Sequence, residues 1–354
     1  MTRLKMKNMN INKLKTFAAC GFSAIILAFT AGCAKESSVD TSGMAKAFIE
    51  AWIKVNHPNA SASGLGVYIL EDTPGTGAAL TDKDLYVIAD CTVTDLDGNI
   101  SSTTYENVSK QIGSFSEANY YGSDIFFLNR NYTAAGVIDI FDGMRVGGTR
   151  KALIPGWLNV NLDYKTAEEY EKNGSGTNAI YTVTITDKTD DIIQWQIDKL
   201  QKFVATNMAG VDSTKFGYYC RTLKQPTSDE TFAGDTTYYI NYTGRLLNGK
   251  VFDTTIEDTA KVHKIYNSAR DYAPMVVHPA SESDYTTVTI SSTPTEDGTT
   301  VVDGFAFCLS KLRPFEKVIC AFYSELGYGY SGKAPSIPKL CPLVFEIEVV
   351  AEPE

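Results

Sequence analysis

The chain has 354 residues, 44% of them hydrophobic, with 32 Lys and Arg against 42 Asp and Glu and a net charge of −10. A chain this acidic is not drawn to phosphate backbones or anionic lipid surfaces, which argues against a nucleic-acid partner. Its length suggests roughly two domains of ordinary size, and its hydrophobic content is enough for real cores.

The first segment has the composition of an export signal. Arg3, Lys5, Lys7, Lys13 and Lys15 make a basic start, and Phe17–Thr30 is apolar or small throughout. That run is shorter than the ~20 apolar residues a spanning helix needs. It ends in Thr30-Ala31-Gly32-Cys33, which resembles the lipobox of bacterial lipoproteins. The resemblance implies that residues 1–32 are a signal peptide and that Cys33 carries a lipid anchoring the chain to a membrane. The protein is then expected in the cell envelope, on the periplasmic face or the cell surface, with residues 33–41 as a linker. Five of the 32 basic residues fall in the signal, so the remainder has 27 against 42 acidic ones, a net charge of −15. Past Cys33 the cysteines are Cys91, Cys220, Cys308, Cys320 and Cys341. Five is odd and no close pair has a framework spacing, so they are read as buried free thiols.

A helix follows the linker, with Met44, Phe48, Trp52 and Val55 on one expected packing stripe before Pro58. The next segments repeat. Gly64-Leu65-Gly66-Val67-Tyr68 aligns with Lys215-Phe216-Gly217-Tyr218-Tyr219, 151 positions on. The same offset sets Ile49 on Leu200, Trp52 on Phe203, Ile53 on Val204, Asn56 on Asn207, Asp84 on Asp235, Thr92 on Thr243 and Gly98 on Gly249. The chain is a duplicated unit. In the second copy the leading helix is predicted after Asp191, with Gln194 three residues on as a capping partner and Gly210 as its stop. Its expected packing stripe is Ile193, Ile197, Leu200 and Val204. Strand texture follows in Thr236–Leu247, Lys317–Tyr323 and Leu343–Val350, with a short helix at Asp303–Leu312. A sheet covered by one short helix is an α+β arrangement.

Four motifs in the second unit then occur in a specific order. Asn241-Tyr242-Thr243-Gly244-Arg245-Leu246-Leu247-Asn248-Gly249-Lys250-Val251-Phe252-Asp253 resembles the opening strands of FKBP-type peptidyl-prolyl isomerases. Val301-Val302-Asp303-Gly304-Phe305 resembles the start of that family's central helix, and Leu326–Gly332 its tyrosine-bearing loop. Ile337-Pro338 and Leu343–Glu348 resemble its closing strand. The resemblance implies an α+β protein of two tandem FKBP-like domains, each a bent antiparallel sheet wrapped over a short helix and preceded by an N-terminal helix. The expected divisions are a degenerate first domain at 42–190, a helix and linker at 191–213, and an isomerase-like domain at 214–354.

The resemblance assigns catalytic positions to Tyr242, Asp253, Phe305 and Tyr328, and substrate-binding positions to Phe252, Val302, Ile337 and Phe345. Phe305, where the family usually has tryptophan, is the expected floor under a proline ring. Asp253 accepts from Tyr242, and Tyr328 and the Val302 N–H hold substrate carbonyls. Such a site needs no cofactor. Its partners are unfolded or proline-containing exported proteins. The 47 residues between Asp253 and Val301 are read as an insertion, whose polar Ser281–Thr300 segment is open to three roles: a flap over the pocket, a wider binding surface for chains, or a block on the site. In the first unit Cys91, Ser101, Ser102 and Val137 stand at the positions of Tyr242, Phe252, Asp253 and Phe305. That unit is read as a non-catalytic copy without a pocket.

Other chemistries lack their residues. His57, His263 and His278 have no zinc-site spacing, Arg145–Gly148 is not a phosphate loop, and there is no Gly-x-Ser-x-Gly. Two readings remain: a proline isomerase assisting the folding of exported proteins, or a non-catalytic envelope chaperone that keeps the fold.

Overall fold

Two Gly residues in matching hairpins show how faithfully the backbone repeats. Gly98 and Gly249 follow Asp97 and Asn248, and each takes φ of +87°, a conformation that favours glycine. The computed structural model describes residues 41–211, 217–232, 236–279 and 284–353. The signal peptide, Cys33 and the linker up to residue 40 lie outside these, as do Lys215, Phe216, Asp235 and Ser281.

In chain order the first unit comprises α1 (Thr41–Asn56), β1 (Ser61–Ala62), β2 (Tyr68–Thr73), β3 (Tyr86–Thr94), β4 (Ile100–Thr103), α2 (Glu106–Gln111), β5 (Asp124–Phe127), α3 (Ala135–Ile140), β6 (Thr149–Ile154), α4 (Ala167–Asn173) and β7 (Ala179–Thr189). The second comprises α5 (Ile192–Asn207), β8 (Tyr218–Lys224), β9 (Tyr238–Leu246), β10 (Val251–Thr254), α6 (Glu257–Val262), β11 (Met275–His278), β12 (Thr289–Ser291), β13 (Thr299–Thr300), α7 (Asp303–Leu309), β14 (Lys317–Phe322) and β15 (Leu343–Val350). Helices α1 and α5, strands β4 and β10, helices α2 and α6, and strands β5 and β11 have bounds 151 residues apart. The offset visible in the sequence to residue 98 therefore runs on to residue 127.

Both sheets have one topology. The order is β1-β2-β6-β7-β3-β4 in the first and β13-β12-β11-β9-β15-β14-β8 in the second, all antiparallel. The central strand of each is long and shares its outer edge. In the second unit β10 pairs with the Thr243–Arg245 part of β9 and β11 with the Tyr238–Ile240 part. One core cluster lies under each sheet, around α3 and around α7.

Several expectations need correction. β6 and β14 stand 168 residues apart where β5 and β11 stand 151 apart, so only 17 residues are added to the second unit, beyond β11. Residues 254–278 have counterparts in the first unit. Within the added stretch β12 and β13 extend the sheet beyond β11, and Tyr285 packs edge-on against Phe307 of α7. Those described parts are a sheet extension rather than a free flap.

The helix stripes also shift. In α1, Met44, Phe48 and Val55 are 65%, 55% and 79% exposed, while Ile49 and Ile53 are buried and Trp52 packs beside them. In α5 the buried positions are Ile192, Gln196, Leu200 and Val204, with Ile193 and Ile197 half-buried. The buried pairs Ile49/Leu200 and Ile53/Val204 are those the repeat aligns. Asp191 caps α5 through Ile193 and Gln194 N–H at 3.0 and 2.9 Å, but the Gln194 side chain turns to Asp198 instead of closing a capping box. All five cysteines are free, yet Cys220 is exposed and Cys341 half-buried.

The corrected faces make a direct prediction. Leu200→Ala and Ile49→Ala are each expected to cost about 2–5 kcal/mol in urea unfolding. Phe48→Ala, on the exposed side, is expected to stay within about 0.5 kcal/mol of wild type.

Candidate functional site

The site in the second unit starts from a backbone problem. At Tyr242 the outer edge of β9 passes from one partner strand to another, and its peptide groups are buried. Thr255 meets both: its hydroxyl accepts from Tyr242 N at 2.9 Å, and its N–H donates to Tyr242 O at 3.0 Å. Thr243 and Thr254 add a hydroxyl pair at 2.9 Å behind it. With the bend held, β10 lies beside β9 through a bulge between Val251 and Asp253. A bulge re-aims the side chains at its ends. Here Phe252 lies across Gly244, where a Cβ would stand 2.6 Å from the ring, so this strand position requires glycine.

Tyr242 is buried and its hydroxyl donates to Asp253 Oδ2 at 2.7 Å. Burial, then the Asp253 charge and hydrogen bond, push that hydroxyl well above the usual tyrosine range, so it remains a donor. Phe305, brought up by α7, meets Phe345 at 4.6 Å and Tyr242 at 5.4 Å between ring centroids. Phe252 meets Phe345 edge-on at 5.6 Å. The Phe305–Tyr242 and Phe252–Phe345 contacts have the edge-on geometry aromatic rings prefer. Phe305 is only 3% exposed, and Ile337 is buried in the same cluster. Val302 and Tyr328 are half-buried at its margin, with Lys333 over the Tyr328 ring at 5.4 Å. Among the described residues, neither the Val302 N–H nor the Tyr328 hydroxyl finds a hydrogen-bond partner, which leaves two donors at the edge of an aromatic floor. All eight sequence-derived positions are thus brought into one cluster.

Two residues were not anticipated. Arg270 donates to Asp253 Oδ1 at 2.5 Å, so both carboxylate oxygens are engaged. Burial acts to lower the Arg270 guanidinium, but the Asp253 hydrogen bond and charge hold it above its usual value. Thr255 is the other. Extending the 151-residue offset past residue 98 would have marked it, because Thr104 does the same for Cys91, accepting from its N–H at 2.9 Å. Nothing in the sequence marked Arg270, whose counterpart is Asn119.

The first unit also departs from its reading. At the matching place it holds a cavity of about 380 Å³ lined by Cys91, Ser102, Tyr120 and Tyr181 among others. Cys91 stands where the Tyr242 ring stands in the second unit, and Tyr120, Phe126 and Tyr181 supply the remaining rings of the lining. The copy lacks the aromatic site but has a pocket. Among the described residues no group of His, Cys, Asp and Glu is arranged to hold a metal ion.

No protein-family model matches the chain. A probable FKBP-type peptidyl-prolyl cis-trans isomerase of Haemophilus influenzae is 23% identical over 212 residues, 59% of this chain and 73% of that protein. A peptidyl-prolyl cis-trans isomerase from Pseudomonas syringae is similar in structure at 21% identity and TM-score 0.30, over 46% of this chain and 97% of that one. The three FKBP domains of a wheat protein cover 82% of this chain and 98% of theirs at 13% identity and TM-score 0.27. The Haemophilus relative and the four ordered motifs make this chain similar to FKBP-type peptidyl-prolyl isomerases. It is built of two tandem FKBP-like units, of which the second carries the aromatic cluster.

Thr255→Val, which keeps the shape and removes the hydroxyl, leaves the buried Tyr242 N–H without a partner. It is expected to cost about 1–3 kcal/mol in denaturant unfolding. Phe305→Ala is expected to cost about 3–5 kcal/mol in the same measurement.

Proposed function

We propose that the second unit is a peptidyl-prolyl cis–trans isomerase acting on exported proteins as they fold. The observation that carries this is the Phe305, Phe345 and Tyr242 floor with the Val302 N–H and Tyr328 hydroxyl free at its edge. Rotation about a peptide C–N bond costs ~18–20 kcal/mol because it breaks amide resonance. X–Pro bonds populate both isomers and exchange slowly enough to limit folding. The twisted amide has lost charge separation between nitrogen and oxygen, so an apolar surface favours it over the planar ground state. The free donors orient the flanking carbonyls. Tyr242, held by Asp253 and Arg270, keeps the wall of the site rigid, and no nucleophile is required.

The exported location rests on the basic start, the apolar run and Ala31-Gly32-Cys33, with the chain tethered by a lipid on Cys33. Among the described residues no helix is long and apolar enough to cross a membrane. Clients are unfolded or proline-containing exported chains. Nucleic acid is not a partner. A second reading, binding without catalysis, draws on the near-complete burial of Phe305 and the full engagement of Asp253.

The two separate in a proline-isomerisation assay on the full chain with a peptide bearing an apolar residue before proline. Tyr242→Phe and Asp253→Ala are expected to lower kcat/KM by about tenfold or more with the fold retained, since each breaks a contact of about 1.5–3 kcal/mol to a charged group. If wild type itself runs at the uncatalysed rate, the binding-module reading replaces the enzyme. Because the Tyr242 hydroxyl is held protonated, kcat/KM is expected to show no Tyr242 ionisation at the ordinary tyrosine value of about 10. A fall there that disappears in Tyr242→Phe would contradict the arrangement. For the anchor, wild type is expected to incorporate labelled fatty acid and Cys33→Ala to lose the label. A labelled mutant would place the lipid elsewhere.

A further inference from the structure

The cavity in the first unit stands where the aromatic cluster stands in the second. Thr104 and Thr255 pin the same bend in β3 and β9, so the backbone frame is shared. Within that frame Cys91 replaces Tyr242 and lines an open space, with both edges of β3 held by pairing. The result is a volume within the ordinary range of ligand sites.

Its chemistry is specific. Val93, Phe126 and Tyr181 supply apolar wall. The hydroxyls of Tyr120 and Ser102, both lining it, have no hydrogen-bond partner among the described residues. Tyr120 folds back over Gly122, where a Cβ would lie 2.5 Å from its hydroxyl, so this ring position requires glycine there. Burial, then the charges of Cys341, Asp124 and Asp90, push the Tyr120 hydroxyl up to about 12, so it stays protonated well into alkaline pH. The one carboxylate in the lining, Asp124, is paired with Lys339 at 3.1 Å. Free donors, aromatic wall and a neutralised charge suit carbonyl oxygens beside an apolar side chain.

The cavity also adjoins the other unit. Tyr120 N donates to Pro335 O at 2.8 Å, and Lys339 lies over the Phe126 ring. Between Pro335 and Lys339 the same loop carries Ile337 into the second unit's cluster. A single loop therefore borders both places.

We propose that the first unit's cavity is a second, non-catalytic binding site for a short uncharged apolar peptide segment of an unfolded client. The identity of that client rests on the isomerase reading; binding in the cavity does not. A chain long enough to occupy both places gains effective concentration at the second site from its hold on the first.

The test uses the full chain and a blocked, proline-free tetrapeptide, acetyl-Ala-Leu-Ala-Ala-amide, followed by amide NMR shifts. Saturable shifts are expected at Ser102, Gly122 and Phe126. Cys91→Tyr, which introduces the ring found at Tyr242, is expected to weaken binding about tenfold or more, which is ~1.4 kcal/mol. Ser102→Leu fills the cavity from an exposed position and is expected to do the same, deciding the matter if Cys91→Tyr fails to fold. Tyr120→Phe removes one donor and is expected to weaken binding about threefold. Absence of saturable shifts at those amides, or unchanged affinity in a folded filled variant, overturns the proposal. Since the probe has no proline, a chain that binds it but does not isomerise loses only the enzyme reading. One that isomerises but does not bind it loses only this one.

Discussion

The structure turns on the pinned bend of the two central strands. A strand that changes partner along one edge leaves an interval where its peptide groups face no ladder, and in a buried sheet that costs the desolvation of each unpaired group. Thr104 and Thr255 remove that cost with one side chain and one N–H each. Once the bend is held, the sheet curves over its helix, the hairpin strand β10 is set beside β9, and Tyr242 faces Asp253 across a hydrogen bond.

The two units show what that frame permits. With rings at the Tyr242, Phe252 and Phe305 positions the concave side becomes a closed aromatic floor with free donors at its rim. In the first unit, with Cys91 and Ser102 in the lining, the same backbone borders an open, polar-edged cleft. Backbone pairing, common to both, decides where a site lies, and side-chain volume decides what it takes. The units also hold one another: Lys264 pairs with Glu117 at 3.0 Å, and Ile88, Ile125, Ile192 and Leu340 form an apolar cluster between them.

The sequence by itself determined the duplication, the order of elements and the ring positions of the second site. Hairpin turns, strand alternation and helix caps are local signals, and they reach the page wherever the backbone obeys its neighbours in sequence. Asp191 as a cap and Gly249 as a turn are of this kind. Tertiary structure alone decided which side of α1 is buried, because Met44, Phe48 and Val55 form as good a stripe as Ile49 and Ile53 until the sheet lies across one of them. It also decided that Arg270 meets Asp253, a pairing across 17 residues that no local period encodes. It showed that residues 254–278 have counterparts in the first unit, so only the 17 residues beyond β11 are particular to the second. And it decided that the first unit keeps a cavity, since removing rings from a sequence does not say whether the frame around them closes or stands open.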